Sequence, residues 1–148
     1  MRMKPLLQKK GKKVKNKRKN MEETKKRNFL RKRRNRYNLR KFALRNDIRI
    51  CYTKSNKYIA LQIVDNNNGN TIFSINTSNN KYFSAVKNRK NLSCATKLGE
   101  ITAIYMQENI YFKKDLNTKK IYFDRGAFQY HGIAQACANS LRKNGVKF

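Results

Sequence analysis

Two consecutive segments, Ile48–Thr53 and Tyr58–Asp65, alternate apolar and polar side chains with a period of two, a pattern typical of strands. A third strand is predicted at Thr71–Thr77, directly after a strong turn signal. The connections Lys54–Lys57 and Asp65–Asn70 are short, and the second is rich in the residues that favour turns. We predict a three-stranded antiparallel meander. Ile59, Leu61 and Ile63 should share the face of the middle strand that points to the core.

The stretch after the meander predicts a loop and then a helix. Ser78–Arg89 is polar and is predicted to be a loop. The helix should run from about Asn91 to Gln107, because apolar residues there recur at helical intervals, namely Cys94, Leu98, Ile101 and Tyr105. Gly99 lies beside this stripe. A glycine inside a helix costs about 1 kcal/mol relative to alanine, so we expect a close approach to the sheet as compensation.

A fourth strand and a last helix complete the predicted domain. The strand covers roughly Lys120–Asp124, and the helical crossover before it predicts that it runs parallel to a strand of the meander. The last helix has Ile133, Cys137 and Leu141 on one face and ends at Gly145, which suits a left-handed C-terminal position. The predicted fold class is α/β, with a mixed four-stranded sheet (three-stranded antiparallel meander plus one parallel strand), packed helices and a basic N-terminal arm.

Basic residues are concentrated at the start of the chain. Residues 1–45 contain 21 Lys or Arg against two Glu, whereas residues 46–148 contain 16 against six acidic residues. We predict a basic RNA-binding arm over 1–45, of low complexity up to about residue 26, and an α/β domain over 46–148. Lys9–Asn20 is too poor in apolar residues to offset its ordering entropy and is predicted to be disordered by itself. Arg27–Phe42 mixes arginine with aromatic residues and should become a helix or an ordered coil only on RNA. The alternative is a solvated amphipathic helix.

The formal net charge of +29 predicts a polyanionic partner, because self-repulsion of this size disfavours a compact chain. Nucleic acid is the natural candidate, since bound basic side chains release its counterions. A basic tail that only improves solubility and a membrane-surface protein are the alternatives. No apolar run approaches the length needed to span a bilayer. Cys51, Cys94 and Cys137 form no CxxC pair and are interpreted as small apolar residues in a reducing compartment.

A metal-dependent enzyme would need acidic residues that converge on a divalent ion. The candidates in the domain are Asp65, Glu100, Asp115 and Asp124. Only Asp124 follows a strand near possible chemistry, and a lone carboxylate there more often organises a loop by accepting backbone N–H bonds or by pairing with Arg125. His131 lacks an obvious nucleophile motif. We therefore predict no catalysis, no cofactor and no metal site.

The segment Asp124–Gly132 is better interpreted as a binding surface. Arg125 can bind phosphate, and Phe128, Tyr130 and His131 offer flat faces on which unpaired bases stack. The alternative is that Phe128 or Tyr130 caps the hydrophobic core. A second basic turn contains Lys54, Asn56 and Lys57, for which a merely solvated turn is the alternative.

Several of these segments, in this order and spacing, resemble the L18 family of large-subunit ribosomal proteins, which bind 5S rRNA. The resemblance covers roughly residues 30–148. It rests on the basic lead-in Arg33–Lys41, the hairpin and strand Ser55–Asp65, Leu98-Gly-Glu, Asp124-Arg-Gly, Tyr130-His-Gly and the terminal Asn144–Phe148. The family usually has Arg after the Tyr-His-Gly, where this chain has Ile133. That contact is lost or is supplied by another basic residue.

The resemblance implies a structural ribosomal role without catalysis, in which the protein binds 5S rRNA and helps attach it to the central protuberance of the large subunit. The implied partners are 5S rRNA, large-subunit rRNA and neighbouring proteins of the central protuberance, with no membrane and no small-molecule substrate. By position, it implies RNA contacts from Arg33, Arg34, Arg36, Tyr37, Arg40, Lys41, Lys54, Asn56, Lys57, Arg125, Tyr130 and His131. Analysis of the residues themselves adds Arg27, Arg31 and Phe128 to this predicted RNA-binding set.

Two other functions stay open. One is a non-specific basic RNA chaperone or nucleic-acid-condensing protein that acts mainly through the arm, and the less favoured one is a metal-dependent nuclease. The implied location is the large ribosomal subunit. The abundance of Lys and Asn and the long arm favour an organelle, either plastid or mitochondrion, over the bacterial cytoplasm. Residues 1–26 are either an additional rRNA contact or a targeting segment.

Overall fold

The computed structural model describes residues 7–42, 47–84, 90–109, 112 and 119–148. Side chains are described from Lys19 onward within these ranges, except at residues 40, 42 and 80. The elements, in chain order, are α1 (Leu7–Phe42), β1 (Ile48–Lys54), β2 (Ile59–Asp65), β3 (Thr71–Asn76), α2 (Asn80–Phe83), α3 (Leu92–Glu108), β4 (Ile121–Asp124) and α4 (Gly132–Lys143).

The four strands form one mixed sheet in the order β3-β2-β1-β4. β1 pairs antiparallel with β2, with Ile50 opposite Ile63. β2 pairs antiparallel with β3, and the register shifts between Ile63 and Val64. β4 pairs parallel with β1, with Phe123 opposite Ile50. The predicted meander and its parallel fourth strand are therefore confirmed.

The core lies on one face of this sheet, between the strands and the helices α3 and α4. Ile59, Leu61 and Ile63 are fully buried on that face of β2, as the period of two predicts. Leu98 of α3 and Leu141 of α4 belong to the same cluster. The apolar stripes of both predicted helices therefore face the sheet.

Gly99 is the point of closest approach between α3 and α4. A Cβ atom added to Gly99 would lie 2.7 Å from the carbonyl oxygen of Cys137 and 2.8 Å from Cβ of Ser140. The prediction that Gly99 allows close approach is correct, but its expected partner, the sheet, is wrong. The partner is α4, because Gly99 lies beside the apolar stripe and so points along the sheet surface toward the neighbouring helix.

The ends of the two long domain helices follow ordinary capping chemistry. The side chain of Asn91 accepts a hydrogen bond from the backbone N–H of Cys94 at 2.7 Å and begins α3. Gly145 follows α4 with φ of +86°, and its N–H donates to the carbonyl oxygen of Arg142. The predicted start of α3 and the predicted left-handed glycine after α4 are confirmed.

The segment that was predicted to be a loop, Ser78–Arg89, contains the short helix α2. The side chain of Asn79 accepts from the N–H of Lys81 and caps the helix, and Phe83 is buried in the core. The loop prediction is wrong for Asn80–Phe83, because burial of the Phe83 side chain in the core stabilises a helical turn within a mostly polar segment. Residues 85–89 of the same prediction lie outside the described residues.

The basic arm forms a continuous helix, α1, through Phe42. Lys9–Asn20 and Arg27–Phe42 are both helical in this structure. That the first is disordered by itself and that the second becomes ordered only on RNA stay predictions. Lys, Arg, Met, Gln and Glu have high helix propensity, and helical hydrogen bonds are satisfied locally without an apolar core. The predicted boundary between residues 45 and 46 falls within 43–46, outside the described residues.

In the part of the chain that the structure describes, no helix combines the length and the apolar composition needed to cross a bilayer. The longest one, α1, is also the most basic.

Candidate nucleic-acid interface

Helix α1 meets the domain where β4 ends. Nε of Arg36 donates to Oδ2 of Asp124 at 3.0 Å, and the side-chain amide of Asn35 donates to the carbonyl oxygen of Gly126. These contacts join side chains of α1 to the end of β4 and to the loop formed by residues 125–131, which we call the β4–α4 loop. The arm and the loop, predicted separately as binding segments, are therefore in direct contact.

Asp124 organises this junction. Its carboxylate is 1% exposed, and Oδ1 accepts a hydrogen bond from the N–H of Gly126 at 2.8 Å while Oδ2 accepts from Arg36. Gly126 has φ of +59°, a conformation that favours glycine. The prediction that Asp124 organises the loop through a backbone N–H is confirmed, but its arginine partner is Arg36 rather than Arg125. Sequence spacing suggested the neighbouring arginine, whereas helix docking supplies one from 88 residues away.

Cys51 lies beside the Asp124 carboxylate, on the face of the sheet opposite to the core. Its Sγ is 3.9 Å from Oδ2 of Asp124. Burial raises the pKa of the Cys51 thiol, the charge of Arg49 lowers it, and the Asp124 carboxylate raises it. The net shift is upward, so the thiol stays protonated at neutral pH and can donate to the carboxylate.

Two residues of the β4–α4 loop hold its shape. Nη1 of Arg125 donates to the carbonyl oxygen of Phe128 at 3.1 Å, so part of the guanidinium spans the loop and its other donors stay available. The Phe128 ring meets the Tyr52 ring edge-on, with centroids 5.6 Å apart. Phe128 thus packs against the core, as the alternative interpretation held, while still lining the surface clefts described below.

Tyr130 is 40% exposed, and its hydroxyl accepts a hydrogen bond from Nη1 of Arg142. The guanidinium carbon of Arg142 is 4.4 Å from the ring centroid of Phe148, which stacks on Phe123 at 5.6 Å. Sequence analysis missed Arg142, whose only signal was a basic residue in the last turn of α4. It brings a guanidinium beside Tyr130 of the loop.

His131 precedes the first residue of α4. Its side chain is exposed and makes no capping hydrogen bond to the helix. Its ring is therefore available to a partner.

The second predicted basic turn lies at the same end of the sheet. β1 and β4 run parallel, so the end of β1 with its turn, Lys54–Lys57, and the β4–α4 loop emerge together. Nζ of Lys54 lies 5.5 Å from the ring centroid of Phe128, and the side chains of Lys54, Asn56 and Lys57 are exposed. The two predicted binding segments of the domain therefore form one surface.

Most of the predicted arm residues are exposed on α1, namely Arg27, Arg31, Arg33, Arg34, Tyr37 and Lys41. Arg27 forms an exposed ion pair with Glu23 at 3.3 Å, and Nζ of Lys41 lies 5.0 Å from the ring centroid of Tyr37. Among the predicted arm residues whose side chains are described, Arg36 is the one that pairs with Asp124. The side chain of Arg40 lies outside the described part of the chain.

Two adjoining clefts separate α1 from the β4–α4 loop. One of about 280 Å³ is lined by residues that include Phe29, Lys32, Thr53 and Phe128. The other, of about 370 Å³, also reaches Phe128 and extends to Arg31, Lys54 and His131. Phe29, Lys32 and Thr53 were not among the predicted binding residues, because they come together only when α1 docks on the sheet. We call Asn28–Arg36, Lys54–Lys57 and the β4–α4 loop together the candidate interface.

The acidic residues weighed for an enzyme lie apart in the structure. Asp65 accepts from the N–H of Asn67 in the turn after β2, Glu100 is exposed on α3, and Asp124 is buried at the junction with α1. Within the described ranges, no group of three or more His, Cys, Asp or Glu is placed to hold a metal ion. Asp115 lies outside those ranges.

A small mixed sheet with a docked basic helix, whose loops present cations and aromatic rings, defines a basic α/β protein of the nucleic-acid-binding class. The family model for ribosomal L18 of archaea, bacteria, mitochondria and chloroplasts matches residues 12–148, and the chain belongs to this family. The resemblance seen in its motifs is thereby confirmed.

Curated relatives carry the same family name. The large ribosomal subunit protein uL18 of Protochlamydia amoebophila is 37% identical over 100 residues, which cover 68% of this chain and 76% of that protein. The uL18 protein of Borrelia hermsii is 34% identical over 128 residues, covering 86% and 98%. That of Dictyoglomus thermophilum is 36% identical over 100 residues, covering 68% and 76%. The chain is accordingly a structural protein of the large ribosomal subunit.

Proposed function

We propose that this protein binds 5S rRNA through the candidate interface and helps attach it to the central protuberance of the large subunit. The observation that carries the proposal is the convergence of three basic segments at one end of the sheet. Arg31 and Lys32 of α1 and Lys54 of β1 line the two clefts that also contain the rings of Phe29 and Phe128. Arg125 of the loop donates a hydrogen bond to the backbone of Phe128. Cations bind the phosphates, and rings accept unpaired bases, as in other RNA-binding surfaces.

The interface is held in shape by the protein before it meets RNA. Asp124 ties Arg36 to Gly126, Arg125 closes the β4–α4 loop, and Arg142 holds Tyr130. Binding then costs less conformational entropy than ordering a free loop and a free arm would cost. A preformed surface favours one folded RNA over others, whereas a flexible basic chain binds any polyanion.

The test is competition between 5S rRNA and an unrelated RNA of equal length for the full chain, across a series of salt concentrations. We expect a preference for 5S rRNA that persists as salt weakens both affinities, because the salt-sensitive phosphate contacts are common to both RNAs. Equal affinities at every salt concentration would contradict the proposal.

A second candidate function is that of a non-specific RNA chaperone or nucleic-acid condenser, which the long basic helix α1 favours. Deletion of residues 1–26 distinguishes the two, because it retains the docked residues Asn35 and Arg36. A condenser loses affinity for all RNAs and shows no preference among them. The proposed function predicts weaker binding with the preference for 5S rRNA retained.

The remaining parts of the proposal concern partners, chemistry and location. We propose large-subunit rRNA and neighbouring proteins of the central protuberance as further partners, and a binding role without turnover. The distribution of Asp65, Glu100 and Asp124 over separate elements supports the absence of a nuclease site among the described residues. Location in an organelle stays a prediction based on Lys and Asn content and arm length, and the bacterial relatives named above lend it no support.

A further inference from the structure

The cleft of about 280 Å³ between α1 and the β4–α4 loop has features of a small binding site. Its lining combines the rings of Phe29 and Phe128 with the polar side chains of Asn28, Lys32 and Thr53. Its volume is close to the lower end of the range, about 300–1,000 Å³, of pockets that hold small ligands. A single planar group fits such a space better than a folded peptide does.

Within the proposed rRNA-binding function, on which this inference rests, we propose that the cleft receives one unpaired base of ribosomal RNA, stacked on Phe29. The Phe29 side chain is 63% exposed although it is large and apolar. It makes no ring or cation contact with another described residue, unlike Phe128 and Tyr37, which lie near Lys54 and Lys41. The faces of its ring are therefore open to a stacking partner.

The charge around the cleft suits a nucleotide rather than an apolar side chain of a protein. Lys32 lines the cleft, and Arg31 and Lys54 line the adjoining one. These cations can therefore bind the phosphates on either side of an inserted base. The Asp124 carboxylate in the lining is already bound by Arg36 and by the N–H of Gly126, which reduces its repulsion of phosphate.

Polar side chains in the lining can recognise the edge of the base. Asn28 carries both an amide donor and an acceptor, and Thr53 carries a hydroxyl that serves as either. Unpaired bases in RNA are read by such groups on their Watson–Crick edges while an aromatic ring supports one face. The shared ligand chemistry is an unpaired base with its phosphates, from either 5S rRNA or large-subunit rRNA.

The experiment compares Phe29→Leu and Phe29→Trp with the wild-type chain, and uses Leu92→Ala as the control. Leu92 is the first residue of α3, is an apolar side chain that is 56% exposed, lies outside the candidate interface and lines neither cleft. Phe29→Leu keeps an apolar side chain but removes the ring, and Phe29→Trp restores one. Each protein is bound to 5S rRNA alone and assembled into large subunits, and unpaired nucleotides of both RNAs are probed chemically.

We expect Phe29→Leu to expose one unpaired nucleotide that the wild type protects, and Phe29→Trp and Leu92→Ala to leave it protected. If the base belongs to 5S rRNA, the change appears in the binary complex, and Phe29→Leu weakens binding by roughly 5- to 150-fold. If the base belongs to large-subunit rRNA, the change appears only in assembled subunits, and affinity for isolated 5S rRNA is unaltered.

Identical protection by wild type and Phe29→Leu in both RNAs would overturn the base-binding cleft, while leaving selective binding of 5S rRNA intact. A crosslink from position 29 to a neighbouring ribosomal protein would overturn it as well. Failure of the wild type to prefer 5S rRNA would instead refute the proposed function, and the assembled subunits would still decide the cleft.

Discussion

The carboxylate of Asp124 connects three parts of the molecule through two oxygen atoms. It belongs to β4, it accepts the N–H of Gly126 in the loop, and it pairs with Arg36 of α1. A buried carboxylate that loses such a partner keeps its desolvation cost without compensation. The shape of the candidate interface therefore depends on this residue more than on the exposed cations around it.

We expect Arg36→Gln and Asp124→Asn to be coupled in their effects on stability. The side chain of Arg36 is 38% exposed, so solvent screens the pair, and each single variant should lose about 1–3 kcal/mol of unfolding free energy. The double variant should lose less than the sum, with a coupling energy of about 0.5–2 kcal/mol. Urea unfolding of the four proteins measures the cycle. Strictly additive losses would mean that the pair does not hold α1 to the domain.

Alkaline pH should destabilise the fold, because burial raises the pKa of Cys137 from its ordinary value of 9.0 to about 12. Between these values the unfolded chain releases the proton and the native chain keeps it. The contribution of the Cys137 thiol to the free energy of unfolding is therefore fully present below pH 9. It is lost as the pH rises, by at most about 1.4 kcal/mol per pH unit. Urea unfolding between pH 8 and 10.5 measures the slope. Cys137→Ala should flatten it but not abolish it, since burial also raises the pKa of Tyr52 to about 12. An unchanged slope in Cys137→Ala would contradict the assignment.

At the scale of elements, α3 and α4 pack so closely that one position admits only glycine. The atoms that a Cβ of Gly99 would meet belong to Cys137 and Ser140, and the first of them is a backbone carbonyl. The hydroxyl of Ser140 also donates to the carbonyl oxygen of Thr96 at 2.6 Å. The two helices thus pack at the distance that a side-chain hydrogen bond and a missing Cβ allow.

Gly99→Ala should therefore destabilise the protein despite the better helix propensity of alanine. The overlap forces a shift of α4, for which we expect a loss of about 1–3 kcal/mol, against a gain of at most about 1 kcal/mol from propensity. Thermal unfolding measures the net effect. Glu100→Ala, at the next and exposed position of α3, is the control and should leave stability within about 0.5 kcal/mol. Equal or greater stability of Gly99→Ala would show that α4 yields without cost.

At the scale of the whole molecule, the charge is divided between a part that contacts the domain and a part that precedes it. Residues 1–26 contain 12 of the 37 basic residues, and the hydrogen bonds described between α1 and the domain come from Asn35 and Arg36. Helix α1 has 36 residues and so spans about 54 Å, which carries its first turns well away from the sheet. The two parts can therefore contribute separately to RNA binding.

Deletion of residues 1–26 should reduce the salt dependence of binding more than its selectivity. Each phosphate contact that is lost should lower the slope of log K against log salt by about 0.7–0.9. The preference for 5S rRNA should persist, because the candidate interface is retained. Filter binding at several salt concentrations measures both. A lost preference with an unchanged slope would reverse the assignment of roles to the two parts.

Sequence patterns predicted the sheet well, because periodicity reports burial directly. The alternation in β1 and β2 follows from which side chains avoid water, turn residues mark the start of β3, and the helix before β4 predicts its parallel direction. Periodicity did not reveal α1, because a largely solvated helix of strong helix formers buries few side chains. It also failed at α2, where a single residue, Phe83, reaches the core.

Some residues of the candidate interface could be predicted from the sequence and others could not. Arg125, Tyr130 and His131 could be named because residue types and the resemblance of a short motif pointed to them. Arg142 and Phe29 could not, since their roles depend on what stands opposite in space. Arg142 reaches Tyr130 from 12 residues further along, and Phe29 lies across a cleft from Phe128.

What the sequence by itself determined is the mixed sheet, the two packed helices and the need for a polyanionic partner, because burial patterns and net charge are properties of the chain read in order. The tertiary structure alone decided that Arg36 pairs with Asp124, that Gly99 adjoins α4, and that the arm and the β4–α4 loop enclose a cleft. These depend on how elements distant in sequence approach and orient toward each other, and that arrangement results from the packing of all of them together.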